Sequence, residues 1–353
     1  MITLASVIDA GRHALADNYG KHLTPHHWNA LNAMALCQSG ELGSVHWSCT
    51  ACTHHAATPK SCGHRSCPRC QQGATEQWLS RQQAKLLPAK YFMVTFTVPR
   101  SLRAIFYRHQ ASAYNALFAA AISTLRSFAQ TRFNGDTGAC AVLHTHSRRL
   151  DYHPHLHVVV PAGALTTANQ WKTLRGKYLY RQQSLAKVFK ARLLAALREA
   201  DEDITLPDTP AQWVVDCRYV GKGLPALQYL SRYLYRGGIS EQNIIALNPS
   251  EQTVTFRYKD SQTQTTKTRT LSIADFLWRI MLHLLPKGLR RVRDYGLLHG
   301  NAKKRRVLLQ LLLRVTLPTV TPKKASFSCS HCQQHMQFAG IAWPVRQTKG
   351  GAT

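Results

Sequence analysis

The stretch YHPHLHVVVP, residues 152–161, decides how this chain is expected to fold and where its chemistry lies. Alternate side chains of a β-strand point to the same face, so His155 and His157 would share one face while Leu156 faces the core. The valines that follow place the pair at the edge of a buried core rather than in a loop. Two imidazoles side by side on a rigid strand make half of a metal site.

A third metal ligand is expected on the preceding strand, within AVLHTHSRRL at residues 141–150. His144 is the first candidate, and His146 and His153 are alternatives. Imidazole sites usually favour transition metals, but Mg²⁺ or Mn²⁺ can bind where substrate phosphate and water supply the remaining oxygens. Because the chain contains 18 histidines, the competing interpretation is an ordinary surface pair.

The segments around the histidine strand predict an α+β fold. YFMVTFTVP from Tyr91 is β-branched and aromatic, which indicates a strand ended by Pro99. The segment 184–200 places apolar residues on one helical stripe, and VTFRYKD with TKTRTLS predicts a hairpin. The order β-α-β-β-α-β-α-β-β fits an antiparallel sheet flanked by helices.

A helix with three tyrosines is predicted within LPALQYLSRYLYR, residues 224–236. Tyr229 and Tyr233 are four residues apart and share one helix face, whereas Tyr235 points elsewhere. A tyrosine hydroxyl can attack a phosphodiester and hold the DNA end as an ester. Packing of the helix against the sheet would explain the same tyrosines without catalysis.

Ten cysteines in a chain without an evident export signal point to metal rather than to disulfides. Cys49, Cys52, Cys67 and Cys70 have the spacing of a four-thiolate structural zinc site. Residues left over around them are Cys62, His64, His46, His54 and His55, which would build a second zinc site or only hydrogen bonds. Cys329 and Cys332, with His331 and His335, resemble half a site, and the single residues Cys37, Cys140 and Cys217 are expected in the core.

The formal net charge is +28, from 45 Lys and Arg against 17 Asp and Glu. Such a charge attracts a polyanion, and nucleic acid is a stronger candidate than an anionic membrane. The expected DNA-binding residues are Lys287, Arg290, Arg291, Arg293, Lys303, Lys304, Arg305 and Arg306. Candidate platforms for stacking bases are Trp171, Tyr178, Tyr180 and Tyr258.

The sequence contains no apolar run long enough to span a bilayer, since VLLQLLL from Val307 is interrupted by Gln310. It also contains no secretory signal pattern at its beginning and no P-loop. We therefore expect a cytoplasmic protein without a nucleotide cofactor. The sequence leaves the oligomeric state open, with a monomer favoured.

Taken together, the His-hydrophobic-His strand and the Tyr-x-x-x-Tyr helix resemble the HUH endonucleases. Within that group the chain is similar to the two-tyrosine rolling-circle transposases of the insertion sequence 91 family. The segments that carry the resemblance, in order, are CTAC with SCGHRSCPRCQ at 49–71, LHTHSRRLDYHPHLHVVVPAGAL at 143–165, LQYLSRYLYRGGIS at 227–240, VTFRYKD at 254–260 and LHLLPKGLRRVRDYGLL at 282–298. Ser66 stands where family members often have a histidine, and His64 is the nearest substitute.

The resemblance implies that His155 and His157 bind a catalytic divalent metal and that Tyr229 and Tyr233 are the nucleophiles. We predict three consecutive parts: an N-terminal helical and zinc-binding domain (1–88), a catalytic domain (89–300) and a basic C-terminal region (301–353). The predicted function is a transposase that nicks and rejoins single-stranded DNA at element ends and in target DNA, through a 5′-phosphotyrosine.

Three other functions compete with this one. A plasmid or phage replication initiator would use the same chemistry, and a zinc-finger regulator would use none. A carboxylate-triad transposase is disfavoured because the 17 acidic residues form no suggestive trio.

Overall fold

The structure, a computed structural model, describes residues 2–225, 227–228, 231, 238–260, 263–315 and 327–344. The helices of these residues are α1 (Leu4–Tyr19), α2 (Pro25–Ala35), α3 (Gln71–Gln83), α4 (Arg103–Arg108), α5 (Gln110–Phe133), α6 (Gln182–Ala200), α7 (Ile273–Met281) and α8 (Lys303–Leu312). The strands are β1 (Ser44–Cys49), β2 (His55–Pro59), β3 (Tyr91–Thr97), β4 (Gly135–Asp136), β5 (Gly138–His146), β6 (Tyr152–Pro161), β7 (Gly163–Thr166), β8 (Trp171–Thr173), β9 (Val215–Tyr219), β10 (Ile244–Asn248), β11 (Thr253–Lys259), β12 (Thr266–Ser272), β13 (Val292–Gly296), β14 (Phe327–Ser328) and β15 (His335–Ala342).

The described residues form two compact units. Unit 1 lies within 1–74, 239–281 and 321–353, and unit 2 lies within 75–238 and 282–320. Each unit combines segments that are distant in the sequence, because strand pairing and helix packing join them. In unit 1, β15 pairs with β1 and α7 packs on α1.

Unit 2 is built on an antiparallel five-stranded sheet in the order β13-β5-β6-β3-β9. One face of this sheet, including Phe96 and Leu156, packs against the apolar sides of α5 and α6. The opposite face holds a smaller cluster in which Val142 and Val159 of the sheet meet Trp78 of α3 and Leu227. A small sheet of β4, β7 and β8 completes the strands of this unit that the structure describes.

The two strands predicted around the histidines form one antiparallel pair. Leu143 is opposite Leu156 on the buried face, and His144 is opposite His155 on the other. The register therefore places the histidines on the face that α5 and α6 do not cover. The predicted α+β fold on an antiparallel sheet is confirmed.

Unit 1 contains two further antiparallel sheets, β14-β15-β1-β2 and β10-β11-β12. The second sheet contains the predicted hairpin, with β11 and β12 paired over their whole length. Helices α1 and α7 approach closely at Gly11, where a Cβ atom would lie 2.1 Å from Cγ2 of Ile273. A glycine is required there because any side chain would overlap this neighbour.

The N-terminal helices give way to a sheet before the first Cys-x2-Cys pair, since α2 ends at Ala35 and β1 starts at Ser44. None of the described helices is long and apolar enough to cross a membrane.

Candidate functional site

Three histidines converge on the face of the five-stranded sheet opposite α5 and α6. One ring nitrogen from each of His144, His155 and His157 lies within 4.8 Å of the other two. The ring centroids are 4.6 to 5.1 Å apart. The arrangement follows from the register, because β5 supplies one imidazole and β6 supplies two that share a face. This set is named the histidine cluster below.

Two hydrogen bonds fix two of the three rings of the histidine cluster. Nδ1 of His155 donates to the backbone carbonyl of His153 at 2.7 Å. Nδ1 of His157 lies 2.9 Å from the hydroxyl oxygen of Thr95 on β3. When Nδ1 is the donor, Nε2 of each ring keeps its lone pair for a metal, as in other sites with such outer partners. Sequence reasoning missed Thr95, whose position depends on the pairing of β3 with β6.

Burial keeps the histidine cluster neutral. Desolvation lowers the pKa of His157 to about 3 and also lowers the pKa of His155. The pKa of His144 falls well below its ordinary value through desolvation and the neighbouring imidazoles. A neutral imidazole is the form that binds a metal ion. The residues therefore fit a divalent metal in both geometry and protonation.

The two alternatives for the third ligand, His146 and His153, contact other side chains. The ring of His146 is 4.9 Å from that of His283. His153 accepts a hydrogen bond from the guanidinium of Arg103. In the part of the chain that the structure describes, the histidine group that could hold a metal ion contains neither of them.

The predicted nucleophiles Tyr229 and Tyr233, like Tyr235, lie outside the described residues. Leu227, two residues before Tyr229, is described and is buried against Val142 and Val159. Those two residues lie on the sheet face that carries the histidine cluster. The chain therefore reaches that face immediately before the first of the two tyrosines.

The predicted zinc site is divided between two groups of four cysteines in unit 1. Cys67 and Cys70 meet Cys37 and Cys62, and Cys49 and Cys52 meet Cys329 and Cys332. The grouping of Cys49, Cys52, Cys67 and Cys70 in one site is therefore corrected. A spacing of two Cys-x2-Cys pairs does not determine which pairs meet, because distant segments can supply the other ligands.

The first group, named the N-terminal cluster, consists of Cys37, Cys62, Cys67 and Cys70. Its Sγ atoms lie 3.5 to 3.6 Å apart where they are in contact. Tetrahedral zinc with Zn–S bonds of about 2.3 Å places its sulfurs roughly 3.8 Å apart. Cys37 was predicted to be a core cysteine, and this prediction is corrected. Cys37 follows the end of α2 and has no second cysteine nearby in the sequence, so no Cys-x2-Cys pattern indicated a metal ligand. His64 is not in the cluster, although its backbone N–H points to Sγ of Cys62 at 3.4 Å.

The predicted DNA-binding stretch contains both exposed and buried cations. The exposed residues are Lys287, Arg290, Lys303, Lys304 and Arg305, while Arg291 and Arg293 are half-buried. Arg306 is only 6% exposed and donates to the carbonyls of Leu297 and His299 at 3.0 and 3.2 Å. The prediction that Arg306 contacts DNA is therefore wrong, because its guanidinium joins α8 to the loop before it.

A basic cleft of about 1010 Å³ lies beside β13 in unit 2. Its lining includes Arg126, Arg290, Arg293, His299 and Arg305. Arg126 was missed in the sequence because it lies on α5, far from the basic stretch. Of the proposed stacking residues, Tyr180 is buried and cannot stack a base, whereas Tyr178 is 49% exposed; Trp171 and Tyr258 are half-buried.

Solved structures that match the chain include the conjugative relaxase TrwC in complex with a 27-mer DNA. The two are 13% identical over 64% of this chain and 75% of the relaxase chain, with a TM-score of 0.26. A metal-bound TrwC structure in complex with DNA matches at 15% identity, 62% and 69% coverage and the same TM-score. A TM-score this low gives the likeness no weight for fold or function.

Sequence relatives are more informative. Residues 7–98 match the family described as "Transposase zinc-binding domain", and residues 138–306 match the family described as "Putative transposase". "Putative transposase y4qJ" of Sinorhizobium fredii is 33% identical over 322 residues, which are 84% of this chain and 80% of the relative. The transposase for insertion sequence element IS801 of Pseudomonas savastanoi pv. phaseolicola is 32% identical, with coverages of 82% and 75%. The protein therefore belongs to the insertion sequence 91 family of transposases.

Proposed function

We propose that this transposase cuts and rejoins single-stranded DNA at element ends through a tyrosine ester. The observation that carries the proposal is the convergence of His144, His155 and His157 on one sheet face. Buried neutral imidazoles at this spacing can bind one metal ion together. A noncatalytic DNA-binding protein would have no need of such a group.

The histidine cluster would hold Mg²⁺ or Mn²⁺, with His144 as the third ligand. A bound divalent ion would polarise the scissile phosphate and stabilise the charge that develops on it. The chain contributes rings of fixed orientation, since His153 and Thr95 occupy the outer nitrogens of His155 and His157. Substrate oxygens and water would complete the coordination.

Tyr229 or Tyr233 would supply the nucleophile. The tyrosine oxygen bonds to phosphorus and the bond from phosphorus to the 3′ oxygen breaks. The tyrosine loses its proton to solvent, and the leaving 3′ oxygen takes up a proton from solvent. The products are a 5′-phosphotyrosine and a 3′-hydroxyl, and attack by a 3′-hydroxyl reverses the step on another strand. The burial of Leu227 on the face of the histidine cluster supports a tyrosine within reach.

The exposed cations of the C-terminal third would hold the DNA backbone. Lys287, Arg290, Lys303, Lys304 and Arg305 are exposed, and two of them line the basic cleft. Contacts to phosphate release counterions and position a strand without reading its sequence. The N-terminal cluster would bind structural zinc, as suits a closed four-thiolate set. The site of action would be the cytoplasm.

The proposal predicts that nicking and DNA binding respond differently to loss of a histidine. His157→Ala removes a ligand but leaves the exposed cations, so nicking of a labelled single-stranded element end should fall at least a hundredfold while binding stays within about twofold. His153→Ala is the matched control on the same strand, and it retains the main-chain carbonyl that accepts from His155. Normal nicking by His157→Ala, or equal loss in both variants, would contradict the proposal.

A further inference from the structure

We infer that Cys49, Cys52, Cys329 and Cys332 form a second, separate structural zinc site, here named the clasp. It joins two segments of unit 1 that are far apart in the chain, since Cys329 lies 277 positions after Cys52. Cys329 and Cys332 lie outside both family-matched ranges, 7–98 and 138–306. The clasp is therefore distinct from the zinc site that the N-terminal domain would hold by itself.

The four sulfurs of the clasp are at metal-site distances. Sγ of Cys49 lies 3.4 Å from Sγ of Cys332, and Sγ of Cys52 lies 3.8 Å from Sγ of Cys329. All four sulfurs lie within 4.8 Å of one another. A disulfide requires about 2.05 Å, whereas tetrahedral Zn–S bonds of about 2.3 Å place sulfurs roughly 3.8 Å apart. The spacing is that of thiolates around one ion.

The two halves of the clasp repeat the same backbone turn. The N–H of Ala51 points to Sγ of Cys49, and the N–H of His331 points to Sγ of Cys329, both at 3.4 Å. The N–H of Cys49 donates to the carbonyl of His54, and the N–H of Cys329 donates to the carbonyl of Gln334, in both turns five residues later. Backbone donors aimed at sulfur favour the thiolate, which is the form that binds metal. Two matching turns that face each other supply a complete tetrahedral set.

The sheet around the clasp has little apolar core to hold it together. In the described residues of β14, β15, β1 and β2 and their connecting turns, Met336 and Cys329 are the only buried hydrophobic side chains, whereas Phe338 and Ile341 are 60% and 44% exposed. A small sheet without a core usually depends on metal for its fold. Zinc at the clasp would release the thiol protons and fix β15 on β1.

Thiol footprinting of the unmodified protein tests the clasp without a mutation. Cys52 is exposed, so an alkylating reagent should modify it quickly unless zinc occupies the site. We expect all four clasp cysteines to be protected in the purified full chain and to become reactive together when a chelator removes zinc. Rapid alkylation of Cys52 in zinc-loaded protein, or a disulfide between clasp cysteines by non-reducing mass spectrometry, would refute the clasp.

Metal counting with variants gives an independent test. The variant Cys329→Ser/Cys332→Ser should contain one zinc fewer per chain, and its Co²⁺-substituted form should lose about half of the thiolate-to-cobalt charge-transfer absorbance. Cys217→Ser is the matched control, because this buried cysteine belongs to neither group. Unchanged metal content in the double variant would overturn the inference. The zinc count does not depend on nicking by the histidine cluster, so the two proposals can fail independently.

Discussion

Thr95→Val tests whether the outer partner of His157 tunes a metal site. Valine keeps the shape of threonine but removes the hydroxyl that lies 2.9 Å from Nδ1 of His157. Loss of one such hydrogen bond costs about 1 kcal/mol, or roughly a fivefold change. If the ring also turns away from its ligand orientation, the loss reaches about 10- to 100-fold in metal affinity.

The assay is a titration of the full chain with Mn²⁺, followed by the electron paramagnetic resonance signal of the free ion. We expect the Mn²⁺ dissociation constant of Thr95→Val to be about tenfold higher than that of the parent protein, with a similar unfolding temperature. Thr97→Val is the control, because Thr97 shares the strand and faces His155, while among described residues its hydroxyl bonds to no histidine of the cluster. Unchanged Mn²⁺ affinity in Thr95→Val, beside lost binding in His157→Ala, would refute the role of this hydroxyl.

Two further predictions each compare a substitution at a packed residue with one at an exposed or open position. Arg306→Ala should lower the free energy of unfolding by about 2 kcal/mol or more, because charge-assisted bonds to two carbonyls are lost. Lys304 is exposed, so Lys304→Ala should leave thermal unfolding unchanged. The same variant should reduce the salt dependence of DNA binding by about one phosphate contact. Gly11→Ala should destabilise the protein by about 1–3 kcal/mol, because its Cβ would overlap Ile273, and Gly20→Ala, with no atom within 4 Å of the new Cβ, should be neutral in the same urea titration. Equal stability of the two alanine variants in either pair would contradict the packing described.

The histidine face could be predicted from the sequence because it depends on local alternation. His155 and His157 are two residues apart on a strand, so their shared orientation needs no knowledge of the rest of the chain. His144 required one more assumption, that β5 and β6 pair as a hairpin, and the register meets it. Thr95 depends on a third strand that arrives from elsewhere in the chain, so no local pattern indicated it.

The cysteine grouping could not be predicted because it depends on long-range pairing. Two Cys-x2-Cys turns separated by 14 residues are compatible with one shared site, and only the pairing of β15 with β1 shows that they belong to two. The same limit applies to Arg306. A run of four cations has the same composition whether each side chain faces solvent or one turns inward to bind carbonyls.

The proposed function depends on one step, the covalent attachment of DNA to Tyr229 or Tyr233. The direct measurement is peptide mapping, by mass spectrometry, of the adduct formed when the full chain cuts a single-stranded element end with Mg²⁺ or Mn²⁺. We predict a nucleotide on Tyr229 or Tyr233, no adduct for Tyr229→Phe/Tyr233→Phe, and normal adduct for Tyr235→Phe. DNA attached to any other residue, or cleavage by the double phenylalanine variant at the parent rate, would contradict it.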